Sequence, residues 1–359
     1  MARALRRAER ARVVRRGWHD QMNILYHLTV PPPAMPECDA VVQEIGALRG
    51  HFGGRLVYLN PNRAFPLCLP RVVFGLHKLR QLRALESDTQ IHHLFNPDPF
   101  PFPVLRVLRR PIVYSLTGGV RDRRPSVAFF ASFAAVTVAD GRSLKRLRAW
   151  GLDNAVLVRP GIDTTRFTCS PLPLRSEIRL MVGSAPWTKR QFRSKGIEAL
   201  LAAARQVDHL RLVFLWRGVL AEEMERRVRR LGLEGRVKVL NRRVDVNEVL
   251  AGVHAGVALA TGPAIIRPYP HSLMESLAAG KPVIVSRCIP MADYVEQTGC
   301  GKVVDRVTPT DILTAIEALA GEYEELQRVA RQVGQRDFSQ QGMIASYRKV
   351  YERILESTA

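Results

Sequence analysis

The chain predicts an α/β protein built from two doubly wound domains. Three observations carry that reading. Short apolar strands alternate with amphipathic helices along most of the chain. The alternation is interrupted once, by the turn Arg159-Pro160-Gly161-Ile162-Asp163 and the proline-rich stretch Cys169–Ser176. The 359 residues also exceed the size at which a single core usually keeps growing.

In the first set, Asn23–Leu28 reads as a strand, Asp39–Gly50 as a helix ending at glycine, and Arg55–Leu59 as a strand. Arg71–Leu85 reads as a helix, Gln90–Leu94 and Ile112–Leu116 as strands, and Val127–Val138 as a helix running into a strand. The second set opens with strand Ile178–Val182, helix Gly196–Arg205, strand Arg211–Trp216 and helix Ala221–Leu231. Strand Val237–Leu240, helix Val246–Ala251, strand Gly256–Ala260, helix Ser272–Ala279 and strand Pro282–Ser286 follow. Helices over 309–333 and 343–355 close the chain. The expected division is a basic arm at 1–21, a first domain at 22–168, a linker at 169–176, a second domain at 177–338 and a last helix within 339–359.

Hydrophobic content of 47% and charged content of 24% are ordinary for a globular protein. The five cysteines show no CxxC or CxxH spacing, so they read as free thiols in a reducing, cytoplasmic compartment, with no metal site. The longest apolar run, Ser126–Ala139, is too short to span a bilayer, and the paired N-terminal arginines precede no apolar signal core. The protein is expected to be soluble, or peripheral on the inner face of a membrane.

The net charge of +21 is uneven. Residues 1–150 carry 24 Lys and Arg against 10 Asp and Glu, and residues 151–359 carry 30 against 23. A compositional bias toward arginine accounts for such an excess. The functional alternative is an anionic partner for the first half, a membrane surface or a phosphorylated acceptor. A nucleic-acid partner is not expected: no recognised module is present, and aromatic residues are only 7%. The segment Arg71–Leu85 puts Val72, Leu76, Leu79 and Leu82 on one helical stripe, with Lys78, Arg80 and Arg83 elsewhere. It reads either as a half-buried core helix with a solvated basic face or as a helix resting on an anionic bilayer.

The stretch Arg267–Ser286, RPYPHSLMESLAAGKPVIVS, carries the most chemistry. A turn on Pro268 and Pro270 leads directly into a helix, Gly280 stops it, and Pro282–Ser286 follows as a buried strand. That order presents a helix N-terminus to an anion, with free amides and the helix dipole both favouring phosphate. His271, Ser272 and Leu273 form the first turn. Glu275, one turn in, can accept two hydrogen bonds from vicinal ribose hydroxyls. The pattern points to a nucleotide-diphosphate site, although helix–glycine–strand junctions of this kind also occur with no ligand.

With these elements in place, the chain resembles the GT-B glycosyltransferases, specifically the retaining family called family 4. Four segments carry the resemblance: Leu157–Phe167, Leu180–Gly183 with Lys195-Gly196, Arg267–Ser286, and Phe338–Leu355. It implies two Rossmann-like domains facing across a cleft, with the acceptor held by the first, the nucleotide sugar by the second, and the last helix returning to the first. It further implies transfer of a sugar from a nucleotide-diphosphate donor with retention, by a hexosyltransferase-type enzyme needing neither metal nor cofactor. The acceptor is an unidentified saccharide, lipid or small molecule. A GT-B-shaped binding protein without activity is the rival reading.

On this resemblance, Gly183 and Ser184 form the donor loop, Lys195 neutralises the leaving diphosphate, and Glu275 holds the ribose. The backbone near Leu240 and Asn241 meets the base edge. Two departures stand out. Where the family carries its first glutamate this chain has Arg267, which either clamps the diphosphate or an anionic sugar or points away. Ser184 replaces an arginine, and Arg190, within the long insertion Ser184–Ser194, is the candidate to stand in for it. In the first domain Thr117 occupies the place of the family's acceptor histidine. Gly118 and Gly119 after it allow a close backbone approach or form a plain turn. His92 and His93, read at the end of the preceding strand, are the other acceptor candidates.

Overall fold

The computed structural model describes residues 22–33, 35–62, 68–183, 185–216, 219–263 and 266–358. The arm at 1–21 and Ser184 therefore lie outside the described residues. The chain divides into two compact units. One comprises the chain up to Val138, Ser143–Val158 and the segment from Ile344 onward; the other comprises Ala139–Arg142 and Arg159–Met343. The segment 159–176, expected to finish the first domain and link it to the second, thus groups with the second unit.

In the first unit six strands form one parallel sheet: β1 Ile24–Leu28, β2 Arg55–Tyr58, β3 Ile91–Asn96, β4 Ile112–Leu116, β5 Ala135–Val138 and β6 Ala155–Leu157. Their order is β2-β1-β3-β4-β5-β6. Every residue of β1, β3, β4 and β5 is buried, as expected of parallel strands covered on both faces. Helix α1, Ala40–Phe52, starts where the Asp39 carboxylate accepts hydrogen bonds from the amides of Val41 and Val42 at 2.9 and 3.0 Å.

Arg71–Leu85 is not one helix. It forms two 3-10 turns, Arg71–Val73 and Leu76–Lys78, and a short helix α2, Leu79–Leu85. The cause is Gly75, at φ 83°, where a Cβ would come within 3.0 Å of Val104. Helix α3 covers only Val127–Ala131 before β5 begins. Helix α4, Gly141–Ala149, and the three-residue β6 lie outside the elements expected from the sequence.

The second unit repeats the plan with β7 Ile178–Val182, β8 Leu210–Leu215, β9 Val237–Leu240, β10 Ala255–Ala258, β11 Val283–Ser286 and β12 Gly301–Val304, in the order β12-β11-β10-β7-β8-β9. Its helices are α5 Arg190–Ser194, α6 Ile197–Gln206, α7 Ala221–Arg230, α8 Val246–Ala251, α9 His271–Ala278, α10 Met291–Thr298, α11 Pro309–Gly321 and α12 Tyr323–Asp337. The run 309–333 breaks at Glu322, and Tyr323 turns inward to pack edge-on against His254 at 5.5 Å.

The last helix, α13, runs Gln340–Thr358. From Ile344 it groups with the first unit. There Tyr351 Oη lies 2.7 Å from His93 Nδ1, and Tyr347 Oη 3.0 Å from Ser115 Oγ. His93 Nε2 reaches Ser115 Oγ at 2.6 Å, so these buried polar groups satisfy one another.

Candidate functional site

In the second sheet the strand order reverses between β7 and β10. In open α/β sheets ligands bind beyond the carboxyl ends of strands at such a reversal. The chain leaving β7 passes through Gly183, and the chain leaving β10 leads to α9. Gly183 and Ser272 touch so closely that a Cβ on the glycine would overlap the serine side chain. One turn on, Gly256 of β10 lies equally close to Ser276, whose hydroxyl donates to the Ser272 carbonyl at 2.7 Å. Gly183, just after β7, and Gly256 within β10 thus seat α9 directly on the sheet. Gly334 of α12 packs against the backbone of Leu277 from another side.

Pro268, Tyr269 and Pro270 are buried in front of α9, and Pro270 caps it with no side-chain acceptor for the first-turn amides. His271, Ser272 and Glu275 are partly exposed, whereas Leu273 is fully buried and its amide donates to the Pro270 carbonyl at 3.0 Å. The expected first-turn set is therefore present, with Leu273 serving the core. Arg267 stands three residues before the cap and is partly buried.

Lys195 follows α5 and is 9% exposed; its Nζ donates to the carbonyl of Ala185, two residues beyond Gly183, at 2.9 Å. The Thr261 amide donates to the Ser194 carbonyl at 2.9 Å. A Cβ on Gly196, at φ 67°, would come within 2.6 Å of Leu259. These contacts bring Lys195 to the ends of β7 and β10, beside the elements that carry Gly183 and Ser272. Arg190, the first residue of α5, is exposed. Leu240 ends β9 and Asn241 follows it, two strands outward from β7, which at ordinary strand spacing is about 10 Å. The Leu240 carbonyl accepts from the Trp216 amide at 3.0 Å.

In the first unit the reversal lies between β1 and β3. Thr117 and Gly118 follow β4, their amides donating to the carbonyls of Asn96 and Pro97 at 2.9 and 3.1 Å. A Cβ on Gly118 would come within 2.5 Å of the Pro97 carbonyl oxygen, so the backbone approach there requires glycine. His92 is elsewhere. Strand β3 continues to Asn96, which puts His92 near its start and away from Thr117. Its ring is fully buried, with Nδ1 2.9 Å from His27 Nε2 and Nε2 3.0 Å from Glu86 Oε1. Burial holds both His27 and His92 below the usual histidine range, against the counter-pull of Glu86 on His92.

A group that the sequence reading missed stands at the carboxyl ends of β1 and β3. Arg71 grips Asp98 with both terminal nitrogens, at 3.0 and 2.6 Å, and its guanidinium lies 4.3 Å from the centre of the Phe100 ring. Thr29 and Asn96 complete the cluster through their side-chain hydrogen bond. Burial pushes the Asp98 carboxyl up, but Arg71 and Asn96 outweigh it and leave Asp98 below its usual range. No spacing rule pairs an arginine with an aspartate so distant in sequence; the approach of the turn Arg71–Val73 to the segment that follows β3 does.

Among the described residues no group of three or more His, Cys, Asp and Glu side chains is arranged to hold a metal ion. No described helix is long and apolar enough to cross a membrane.

Residues 176–336 match the family model described as glycosyl transferases group 1. The group 1 segment spans the whole second sheet and includes Gly183, Lys195 and α9. The fold is the two-domain α/β fold of GT-B glycosyltransferases. A glycosyltransferase from Rickettsia africae ESF-5 superposes with a TM-score of 0.72 at 12% identity, covering 94% of this chain and 99% of that one. Sucrose-phosphate synthase from Thermosynechococcus elongatus gives 0.68 at 15% identity, covering 93% and 100%. HepE from Anabaena, solved in complex with UDP and glucose, gives 0.66 at 15% identity, covering 94% and 99%. No curated protein matches the chain in sequence.

Proposed function

We propose that this chain is a glycosyltransferase that moves a sugar from a nucleotide-diphosphate donor to a hydroxylated acceptor. The observation that carries the reading is the seating of α9 against Gly183 at the sheet reversal, with Lys195 tethered alongside. A departing diphosphate needs positive charge and amide donors, and this corner offers the helix N-terminus, the amides of His271 and Ser272, and an ammonium group. Glu275 is assigned to the ribose hydroxyls, and Leu240 and Asn241 to the base. Arg190 and Arg267 are assigned to the phosphates or to an anionic sugar.

Retention of configuration and independence of metal are proposed from the family 4 resemblance. In that scheme the diphosphate oxygen takes the acceptor proton on the face from which it departs. UDP is the first donor nucleotide to try, because HepE was solved with it. The acceptor, a saccharide, lipid or small molecule, is assigned to the first unit near Thr117 and Gly118.

The test is a thermal-shift panel of UDP, GDP, ADP, TDP and CDP with their sugar conjugates, on wild type and Lys195→Ala. A diphosphate at about 100 times its dissociation constant adds roughly 2.7 kcal/mol, a shift of several degrees. One charge-assisted hydrogen bond is worth about 1.5–3 kcal/mol, so Lys195→Ala should cut turnover about tenfold to a hundredfold. Absence of a shift with every nucleotide would overturn the reading in favour of a binding protein.

A further inference from the structure

We infer that the first unit docks on an anionic lipid surface through one patch, formed by residues 71–85 and the facing turn Pro103–Val107. As a single helix, the stripe Val72, Leu76, Leu79 and Leu82 would be buried together. The left-handed Gly75 splits it. Leu82 is fully buried and Leu79 partly so, whereas Val72 and Leu76 are turned out, 50% and 41% exposed. Val107 is 36% exposed on the facing turn. Beneath them the two turns are fixed together: Phe74 stacks on Phe102 at 6.2 Å, and Gly75 sits against Val104. The outward aliphatics therefore stand on a packed base.

Among the described residues, three of the seven large exposed hydrophobic side chains belong to this patch. Cations outnumber anions around them. Residues 71–112 hold seven lysines and arginines against three acidic residues, of which Glu86 is buried and Asp98 is paired with Arg71. Arg80, Arg83, Arg109 and Arg110 are exposed, while Arg71 is occupied by Asp98.

An aliphatic wedge ringed by cations fits a bilayer interface, where apolar side chains enter the acyl boundary and basic groups meet anionic headgroups. Single-stranded nucleic acid would call for exposed aromatic rings to stack its bases, and here the exposed residues are aliphatic. The patch lies wholly in the first unit, so this docking stands whether or not the second unit turns over a nucleotide sugar.

The test is flotation of the full chain with vesicles of phosphatidylcholine alone or mixed with phosphatidylglycerol. Wild type should float with the mixed vesicles, fail to float with phosphatidylcholine alone, and release as salt is raised. Val72→Glu with Leu76→Glu should weaken binding at least about tenfold, as should Arg80→Glu with Arg83→Glu. Both pairs are at or near the surface, and an unchanged melting temperature and nucleotide shift would show the fold and the second unit intact. Arg226→Glu on α7, in the other unit, should bind as wild type. Equal binding by the paired variants, equal binding to phosphatidylcholine, or equal loss with Arg226→Glu would overturn the inference. Retention of single-stranded RNA without vesicle binding would overturn it in favour of a nucleic-acid surface.

Discussion

Gly183 and Ser272 are in such close contact that no side chain fits on the glycine. Gly183 opens the connection that leaves β7 and Ser272 lies in the first turn of α9, and their contact sets how near the α9 N-terminus stands to the loop leaving β7. In Gly183→Ala the new methyl would overlap Ser272, so α9 must shift outward. Overpacking of this kind costs about 1–3 kcal/mol. Melting temperature should fall by several degrees and nucleotide affinity by at least tenfold, on the order of that energy. Gly183→Ala combined with Ser272→Gly should recover most of the stability, because the overlapping hydroxymethyl group is gone. Failure of that rescue would show that the contact is not the constraint.

Glu275 tests the nucleoside end of the proposed site. Glu275→Ala removes the acceptor assigned to the ribose hydroxyls, and hydrogen bonds to a charged group contribute about 1.5–3 kcal/mol. Nucleotide affinity measured by calorimetry should fall about tenfold or more, with less change for the 2′,3′-dideoxy nucleotide, which cannot make those bonds. Equal losses for both ligands would remove Glu275 from the ribose.

Three histidines in the core of the first unit govern its acid stability. His27, His92 and His93 are each held below the usual histidine range, first by burial. Their stabilisation is therefore fully present above the unfolded value of about 6.5 and is lost as pH falls below it, since the unfolded chain then binds the protons. Each contributes up to about 1.4 kcal/mol per pH unit in that window. Melting temperature should drop between about pH 6.5 and about pH 5 and fall less steeply in His27→Gln, which removes one titrating group. A profile of unchanged steepness would mean that His27 is already protonated in the fold.

Much of the site was legible because its parts are local. A proline turn, an amphipathic run, Gly280 and a buried β-branched strand follow one another in Arg267–Ser286, and the structure forms α9 and β11 there. Gly183 and Lys195 were likewise visible as a glycine after a strand and a cation before a helix. Where the reading departed from the structure, a distant neighbour decided. Gly75, left-handed and packed against Val104, breaks the helix expected over 71–85. The continuation of β3 to Asn96 places His92 deep in the sheet, and Glu86 and His27 occupy its ring nitrogens.

The sequence by itself determined the α/β class, most strands, the two-sheet plan and the helix beginning at His271, because periodic burial and glycine or proline stops act over a few residues. Only the tertiary structure decided that Gly183 meets Ser272, that Lys195 reaches Ala185, and that Arg71 locks onto Asp98. The first depends on β7 and β10 lying side by side, and the other two on how the segments leaving the strands fold back on their neighbours. Strand order is set by the packing of the whole sheet, and the period of a single segment carries no record of it.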